Sequence, residues 1–274
     1  MTETIKGLIL RETPIGDYDK IMTVLTAERG RISVVAHGAK RLKSPLFTAT
    51  QAFSYSELTL RSGNNHIWYL QTGDLIENFY HLRDTLESAA LAGYLADVAA
   101  DVALEEQEET ELLRLLLNCY HCLATGAKSA EMIKAVFELR VASGAGFTPD
   151  LVACAGCGEA NLPLYYFDVR GGVFRCESCF HAASAELEHD AMRESEADAI
   201  YPTGQLIALL SPSVFTAMRF VIYSRPERIF SFELKDEAMR EFSSVCEKYL
   251  LCHLERGFST LDFYHTIADS LPKP

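Results

Sequence analysis

Four cysteines form two C-x-x-C pairs separated by eighteen residues: Cys154 with Cys157, and Cys176 with Cys179. Each pair can direct two thiolates toward one point, and two pairs complete the tetrahedral shell that zinc prefers. Because the protein supplies all four ligands, no coordination position is left for a substrate. We therefore expect one structural Zn²⁺ ion, and two disulfides or four inert buried thiols are the alternatives.

The segment between the pairs contains Pro163, Gly171 and Gly172 around a short apolar run, which indicates two short strands and a turn. About thirty residues of this kind cannot bury a core, so bound metal would supply the missing folding free energy. Loss of the metal should then unfold residues 152–180. Four further cysteines fall in helical patterns and are interpreted as core thiols: Cys119, Cys122, Cys246 and Cys252.

The chain does not begin with a basic stretch and an apolar run, and no apolar run approaches the ~18 residues of a membrane span. We therefore expect a cytoplasmic protein without a membrane partner. In a reducing compartment, paired cysteines are more often metal ligands than disulfides.

The net charge of −13 argues by itself against a nucleic-acid partner, but the charge is unevenly distributed. Residues 1–80 contain nine Lys or Arg and eight Asp or Glu, whereas the remaining residues contain sixteen and thirty. Residues 29–43 carry five basic side chains, one histidine and no acid, and residues 97–111 carry seven acids and no base. The first eighty residues can therefore attract a polyanion locally.

The hydrophobic pattern changes once along the chain. Five short runs rich in β-branched and aromatic residues, separated by turn residues, predict strands at 5–11, 21–26, 32–36, 55–60 and 66–70. Five such strands fit a small barrel of the oligonucleotide-binding (OB) type. After residue 79 the apolar period becomes helical, and Ser211 before Pro212 predicts a helix start. We predict an α+β chain with an OB-type barrel at 1–80, an α-helical domain at 81–150 and 183–274, and the zinc module inserted at 151–182.

The candidate DNA-binding residues are the cations in and beside the predicted strands: Arg29, Arg31, His37, Lys40, Arg41 and Lys43. A cationic strip beside aromatic side chains can follow a phosphate backbone and stack bases without reading their sequence. The nearby aromatics, about half of which should be barrel core, are Phe47, Phe53, Tyr55, Trp68 and Tyr69. The alternative is a solvated loop without a ligand.

The sequence offers little support for catalysis. It lacks G-x-S-x-G, H-E-x-x-H and a complete P-loop. Glu159 beside Cys157 is similar to the zinc deaminase pattern, in which a glutamate shuttles protons, but Cys154 would close the metal position that a deaminase needs. We expect a protein that is not an enzyme. A deaminase-like enzyme and a zinc-containing partner-binding scaffold without DNA contact are the alternatives.

Several short motifs occur in a recognisable order. They are GLILR at 7–11, GDYDKI at 16–21, AHGAKRLKS at 36–44, LIENF at 75–79, FELR at 137–140 and GFTP at 146–149. In this order, with four cysteines following, they resemble the RecO family of bacterial recombination mediators over most of the chain. The resemblance implies a DNA repair protein of the nucleoid that binds single- and double-stranded DNA, anneals complementary strands and, with RecR, helps to load RecA.

The resemblance also implies that the helical domain binds the C-terminal tail of single-stranded DNA-binding protein (SSB). Such a tail ends in an aromatic residue and a carboxylate, so its receptor needs an apolar pocket and a cation. Our candidates are Lys134, Phe137 and Arg140, and ordinary helix-surface cations are the alternative. The family commonly has a Lys-Ser pair before its last apolar helix, where Ser259 begins the corresponding pair here. A contribution from that lysine is therefore absent or comes from Arg256.

Overall fold

The structure, a computed structural model, describes residues 2–63, 66–183 and 206–270 of the chain. The chain divides into two compact units, one of residues 1–133 and 257–274 and the other of residues 134–256. The first unit contains the closed barrel, and the second contains the four paired cysteines.

The barrel is formed by β1 (Thr2–Ile15), β2 (Asp19–Thr26), β3 (Gly30–Ala36), β4 (Tyr55–Ser62) and β5 (Ile67–Glu77). The strand order is β1-β2-β3-β5-β4, and β3 and β5 are the parallel neighbours in an otherwise antiparallel barrel. Burial alternates residue by residue along β3, because successive strand side chains point to opposite faces. The inward-facing residues form the core: Ile9, Met22, Val24, Ile32, Val34, Leu58, Leu60, Trp68 and Leu70.

The longer helices after the barrel are α1 (Leu86–Val102), α2 (Thr110–Thr125), α3 (Ala130–Gly144), α4 (Pro212–Tyr223), α5 (Asp236–Leu254) and α6 (Ser259–Ser270). Residues 177–183 are also helical. The Thr85 hydroxyl caps α1 by accepting the Ser88 N–H, at 3.0 Å. In the first unit, α1 packs on α6, with Tyr94 edge-on against Phe258.

The second unit contains a three-stranded antiparallel sheet in the order β7-β6-β8, formed by β6 (Tyr165–Asp168), β7 (Val173–Arg175) and β8 (Ile207–Leu210). The Tyr165 ring stacks on Phe215 of α4, with 3.7 Å between ring centroids. On α5, the Tyr249 hydroxyl donates to the Phe147 carbonyl oxygen at 3.1 Å. Aromatic packing thus joins the small sheet to the helices of its own unit.

The predicted OB-type barrel, helical region and cysteine cluster are confirmed, and each observed strand extends beyond its predicted run. Pro212 is the first residue of α4, as predicted. The short strand β8 was not predicted, because it lies in a region assigned to helix. The three-part domain division stays a prediction. Within the described ranges, no helix has the length and apolar character needed to cross a membrane.

Candidate metal centre and nucleic-acid interface

The four predicted zinc ligands lie together in the second unit. The sulfur atoms of Cys154, Cys157, Cys176 and Cys179 are all within 4.8 Å of one another, and those of Cys157 and Cys176 are 3.8 Å apart. Four sulfurs at the ~2.3 Å Zn–S distance of a tetrahedral site lie about 3.8 Å from one another. The cluster therefore fits a tetrahedral metal ion.

Backbone N–H donors favour the ionised form of one thiol in the cluster. Cys154 Sγ accepts N–H hydrogen bonds from Gly156 at 3.4 Å and from Cys176 at 3.3 Å. Burial raises the pKa of the Cys154 thiol, but these donors and the Cys157 N–H outweigh burial and lower the pKa to about 6. The Cys176 and Cys157 side chains raise the pKa of Cys179 to about 12. Thiolates this close repel one another, so a bound cation would stabilise the fully ionised set.

The small sheet and one glycine hold the first pair in place. The N–H of Ala155 donates to the Phe174 carbonyl oxygen on β7, at 2.9 Å, and the Cys154 N–H donates to the Glu159 carbonyl oxygen at 2.8 Å. A Cβ atom at Gly156 would lie 2.7 Å from the Cys179 sulfur. The close approach of the two cysteine pairs therefore requires a glycine at this position.

The alternatives for the cysteines find little support in this geometry. All eight cysteines are free thiols. Of the four predicted core thiols, Cys119 and Cys246 are fully buried in their helices, whereas Cys122 and Cys252 are only partly buried. Glu159 is exposed, and its Oε1 accepts the N–H groups of Ala160 and Asn161. Since four thiols already complete a shell, Glu159 has no open metal position beside it. The site is therefore suited to a structural ion.

Two of the predicted DNA-binding cations are held by carboxylates in the first unit. The Arg29 guanidinium donates to both carboxylate oxygens of Glu3, at 2.5 and 2.8 Å, and to Glu106 at 2.6 Å. Arg31 donates to Glu105 at 3.2 Å. Glu105 and Glu106 belong to the acidic stretch 97–111, so parts of the two most charged segments neutralise each other. A phosphate that approached Arg29 or Arg31 would have to displace these carboxylates.

Backbone hydrogen bonds also hold residues 104–106 against residues 29–31. The Arg31 N–H donates to the Leu104 carbonyl oxygen, and the Glu106 N–H donates to the Arg29 carbonyl oxygen, both at 3.0 Å. Gly30 has a φ of 58°, and a Cβ there would lie 2.1 Å from the Leu104 carbonyl oxygen. The acidic loop can approach the barrel this closely only because residue 30 is glycine.

The other four predicted cations lie in residues 37–44, which we call the basic turn: His37, Lys40, Arg41 and Lys43. Successive turns run through it, because the Arg41 N–H donates to the Gly38 carbonyl oxygen at 3.2 Å and the Ser44 N–H to the Arg41 carbonyl oxygen at 2.8 Å. The Lys40 side chain donates to the Gly16 carbonyl oxygen at 3.0 Å. Arg41 and Lys43 are exposed.

One carboxylate of the barrel anchors the start of the basic turn. Asp19 accepts the Gly38 N–H at 2.8 Å and contacts His37 Nδ1 at 2.7 Å. The Gly38 hydrogen bond, followed by that of His37, lowers the pKa of Asp19 below its usual range. Asp19 therefore stays ionised and holds the loop at neutral pH.

A groove of about 770 Å³ lies beside the basic turn. Residues of the basic turn form one side, and residues 71–74 of β5 form the other. Its charged or titratable side chains are His37, Arg41 and Lys43, with Asp74 opposite. The volume is within the ~300–1,000 Å³ of typical ligand sites.

The aromatic residues separate into core and surface. Trp68 is buried in the barrel, with the Arg29 guanidinium 5.0 Å from its ring centroid. Tyr69 points the other way and stacks on His37, with 5.9 Å between ring centroids. Strand alternation alone could have distinguished these neighbours. Tyr18, which sequence reasoning missed, is exposed beneath Arg41, at 4.7 Å from its ring centroid. Its position in the Gly-Asp turn before β2 was the available signal.

The predicted SSB-tail residues are mostly inside the second unit. Phe137 is fully buried, and Lys134 is 1% exposed. The Lys134 ammonium group contacts Glu138 at 2.9 Å and Glu247 at 2.6 Å. Arg140 is half-buried and donates to the Ile222 carbonyl oxygen at 3.2 Å. Of the three residues, Arg140 is therefore the one with substantial exposed surface, and the tail site stays a prediction.

The closed barrel, the basic turn and the cysteine cluster define an OB-type protein with a candidate metal centre. Family models for the recombination protein O N terminal and C terminal match residues 1–79 and 83–192. The chain is 31% identical to DNA repair protein RecO of Acetivibrio thermocellus, over 95% of each protein. It is 29% identical to that of Caldicellulosiruptor bescii, over 96% of this chain and 97% of the relative. The chain belongs to the RecO family, which supports a role in DNA repair and recombination.

Proposed function

We propose that the chain binds single- and double-stranded DNA through the basic turn and its groove. The observation that carries the proposal is that Arg41 and Lys43 are exposed at this groove in a chain of net charge −13. Among the described residues, no ion pair involves either side chain, in contrast with Arg29 and Arg31. Of the six predicted cations, Arg41 and Lys43 are thus the most available to phosphate oxygens.

The surroundings of these cations suit a single strand. Arg41 lies over the Tyr18 ring, and Tyr69 is on the outer face of β5. Aromatic rings beside cations can stack bases while the cations follow the phosphates, whatever the sequence. Hydrogen-bonded turns hold the backbone of the segment, so little ordering entropy would be lost on binding.

Membership of the RecO family supports the wider proposal. In it, the protein anneals complementary strands and, with RecR, helps to load RecA onto DNA coated by SSB, in the nucleoid of the cytoplasm and without catalysis of its own. We place the receptor for the SSB tail on the second unit around Arg140. Lys134 and Phe137 would support that receptor from the core.

We further propose that the cysteine cluster holds one Zn²⁺ ion. Four thiolates in tetrahedral positions favour zinc over harder cations such as magnesium or calcium. The bound ion would join the two cysteine pairs across β6 and β7. Its contribution is to folding, since the ligands leave no position for a reacting molecule.

The test is a fluorescence titration of labelled single-stranded DNA at several salt concentrations. Lys43→Glu should weaken binding and reduce the slope of log K against log salt by about 0.7, the value for one phosphate contact on a single strand. Lys6→Glu on β1 is the matched control, because it changes the same charge at an exposed site outside the groove.

Equal effects of Lys43→Glu and Lys6→Glu would show that only net charge matters and would remove the assignment to the basic turn. Absence of any salt-dependent DNA binding by the unsubstituted protein would refute the proposed function itself. It would favour a partner-binding scaffold instead.

A further inference from the structure

Leu42 lies at the tip of the basic turn. It is 89% exposed, more than any other large apolar side chain among the described residues. Single exposed leucines are common on protein surfaces and need no explanation by themselves. This one differs in its setting, because its neighbours in the chain are the exposed cations Arg41 and Lys43.

The backbone holds Leu42 outward. The Ser44 N–H donates to the Arg41 carbonyl oxygen at 2.8 Å, which makes Leu42 and Lys43 the central residues of a hydrogen-bonded turn. Before this turn, the Arg41 guanidinium lies over the Tyr18 ring. After it, the Ser44 hydroxyl accepts the Leu46 N–H at 3.3 Å. The apolar side chain is therefore presented on a fixed support.

We propose that Leu42 packs against the outermost base pair where a duplex meets a single strand, a role that rests on the DNA binding proposed above. Aliphatic side chains beside cations act as wedges at base steps in protein–DNA complexes. Within a duplex such a wedge must first unstack two base pairs. At a junction the last pair has no neighbouring base pair on its open face, so the apolar contact displaces at most one unpaired base and costs less.

The charges around Leu42 favour this ligand over others. Arg41 and Lys43 can contact phosphates on either side of the inserted leucine, and the groove beside them can receive the unpaired strand. A junction offers all three elements: two phosphate backbones, an exposed base-pair face and a free strand. Strand annealing also creates such junctions, so the inference names a DNA structure that the proposed function would produce.

The experiment compares three DNAs of matched length: a single strand, a blunt duplex and a duplex with a single-stranded tail. The tailed duplex carries 2-aminopurine in its junction pair. Leu42→Ser should weaken binding of the tailed duplex by about tenfold, the value for exposing a buried leucine. Binding of the single strand should change less than about twofold, and the salt slope should stay the same because no charge is removed.

Two controls accompany this variant. Leu42→Met keeps an apolar side chain and should retain junction binding and the 2-aminopurine signal. Leu86→Ser makes the same change at an exposed leucine in the first turn of α1 and should have no effect on any of the three DNAs.

The possible results separate the two proposals. If Leu42→Ser lowers the affinity for all three DNAs equally, or leaves the affinity for the tailed duplex unchanged, the proposed junction contact is overturned. Either result leaves the proposal of DNA binding by the basic turn intact. If the unsubstituted protein binds none of the DNAs, the proposed function fails first. Binding to anionic phospholipid vesicles that Leu42→Ser removes, with DNA binding unchanged, would overturn the inference in favour of a membrane surface.

Discussion

Replacing Lys134 by methionine should destabilise the second unit rather than remove a surface contact. The Lys134 ammonium group is buried between Glu138, whose side chain is fully buried, and Glu247, which is partly exposed. Methionine nearly matches the length of the lysine side chain and is apolar, so the substitution leaves little cavity. Its main effect is to take the positive charge away from two carboxylates.

The expected loss of stability follows from the burial of Lys134. Removing one member of a buried ion pair costs about 3–5 kcal/mol. With a urea dependence of about 2 kcal/mol per molar, the unfolding midpoint of the second unit should fall by about 1.5–2.5 M. Burial lowers the pKa of Lys134, but Glu138 and Glu247 outweigh burial and raise it. A raised folded-state pKa contributes stability that is fully present below the unfolded pKa of about 10.4 and is lost only as pH rises through the folded pKa, so Lys134 contributes its full charge at neutral pH.

The assay is urea unfolding followed by circular dichroism, with hydrogen exchange of the α3 and α5 amides to place the effect. Lys248→Met is the matched control, since Lys248 is exposed on α5 next to Glu247, and it should cost less than about 0.5 kcal/mol. Combining Lys134→Met with Glu138→Leu should recover most of the loss, because apolar side chains then replace both buried charges.

An unchanged midpoint for Lys134→Met, together with lost binding of an SSB-tail peptide, would refute this reasoning. It would show that Lys134 is reachable by a ligand and that its buried ion pairs do not stabilise the unit. A loss of stability that the double substitution does not recover would instead attribute the effect to packing.

Two further outcomes are expected. The purified protein should contain one zinc ion with four sulfur ligands at ~2.3 Å by X-ray absorption. Cys157→Ser should lose the ion and expose residues 152–180 to protease, while the affinity for DNA changes less than about twofold. A parallel loss of DNA binding would contradict the structural role of the ion. Arg29→Met should lower barrel stability by about 1 kcal/mol, because it leaves the partly exposed Glu3 and Glu106 without their guanidinium partner. A reduced salt slope for DNA binding in that variant would show that Arg29 contacts phosphate instead.

Local patterns were sufficient for much of the fold. The alternation in β3 and the change to a helical period after residue 79 each reflect which face of one element is buried, and that information is carried by neighbouring residues. The cysteine spacing was equally informative, because two C-x-x-C pairs have few other uses in a reducing compartment. The strand β8 was missed because its four residues are too few for a periodic signal and pair with β6 about forty positions away.

What the sequence could not show about the predicted site residues is which distant side chains they contact. Arg29 and Arg31 look like the rest of the basic run until Glu105 and Glu106 fold against them. Lys134 looks like a surface cation, although α3 is apolar on nearly every side. The signal in that helix was the i, i+4 spacing of Lys134 and Glu138, which brings the two side chains together on one face. Because α3 is buried on nearly every side, this pair is buried too.

The acidic loop, which is the part of residues 97–111 that contacts Arg29 and Arg31, also affects the direction from which DNA would approach the barrel. At physiological ionic strength, charges act over about 8 Å, so a polyanion senses only the part of the surface that it faces. Glu105 and Glu106 occupy Arg29 and Arg31 much as phosphates would, so these two arginines offer a polyanion little net attraction. Encounters that begin there should be unproductive, whereas those that begin at the basic turn are attractive. The loop would thus select the direction of approach, and its charge should govern the association rate more than the final affinity.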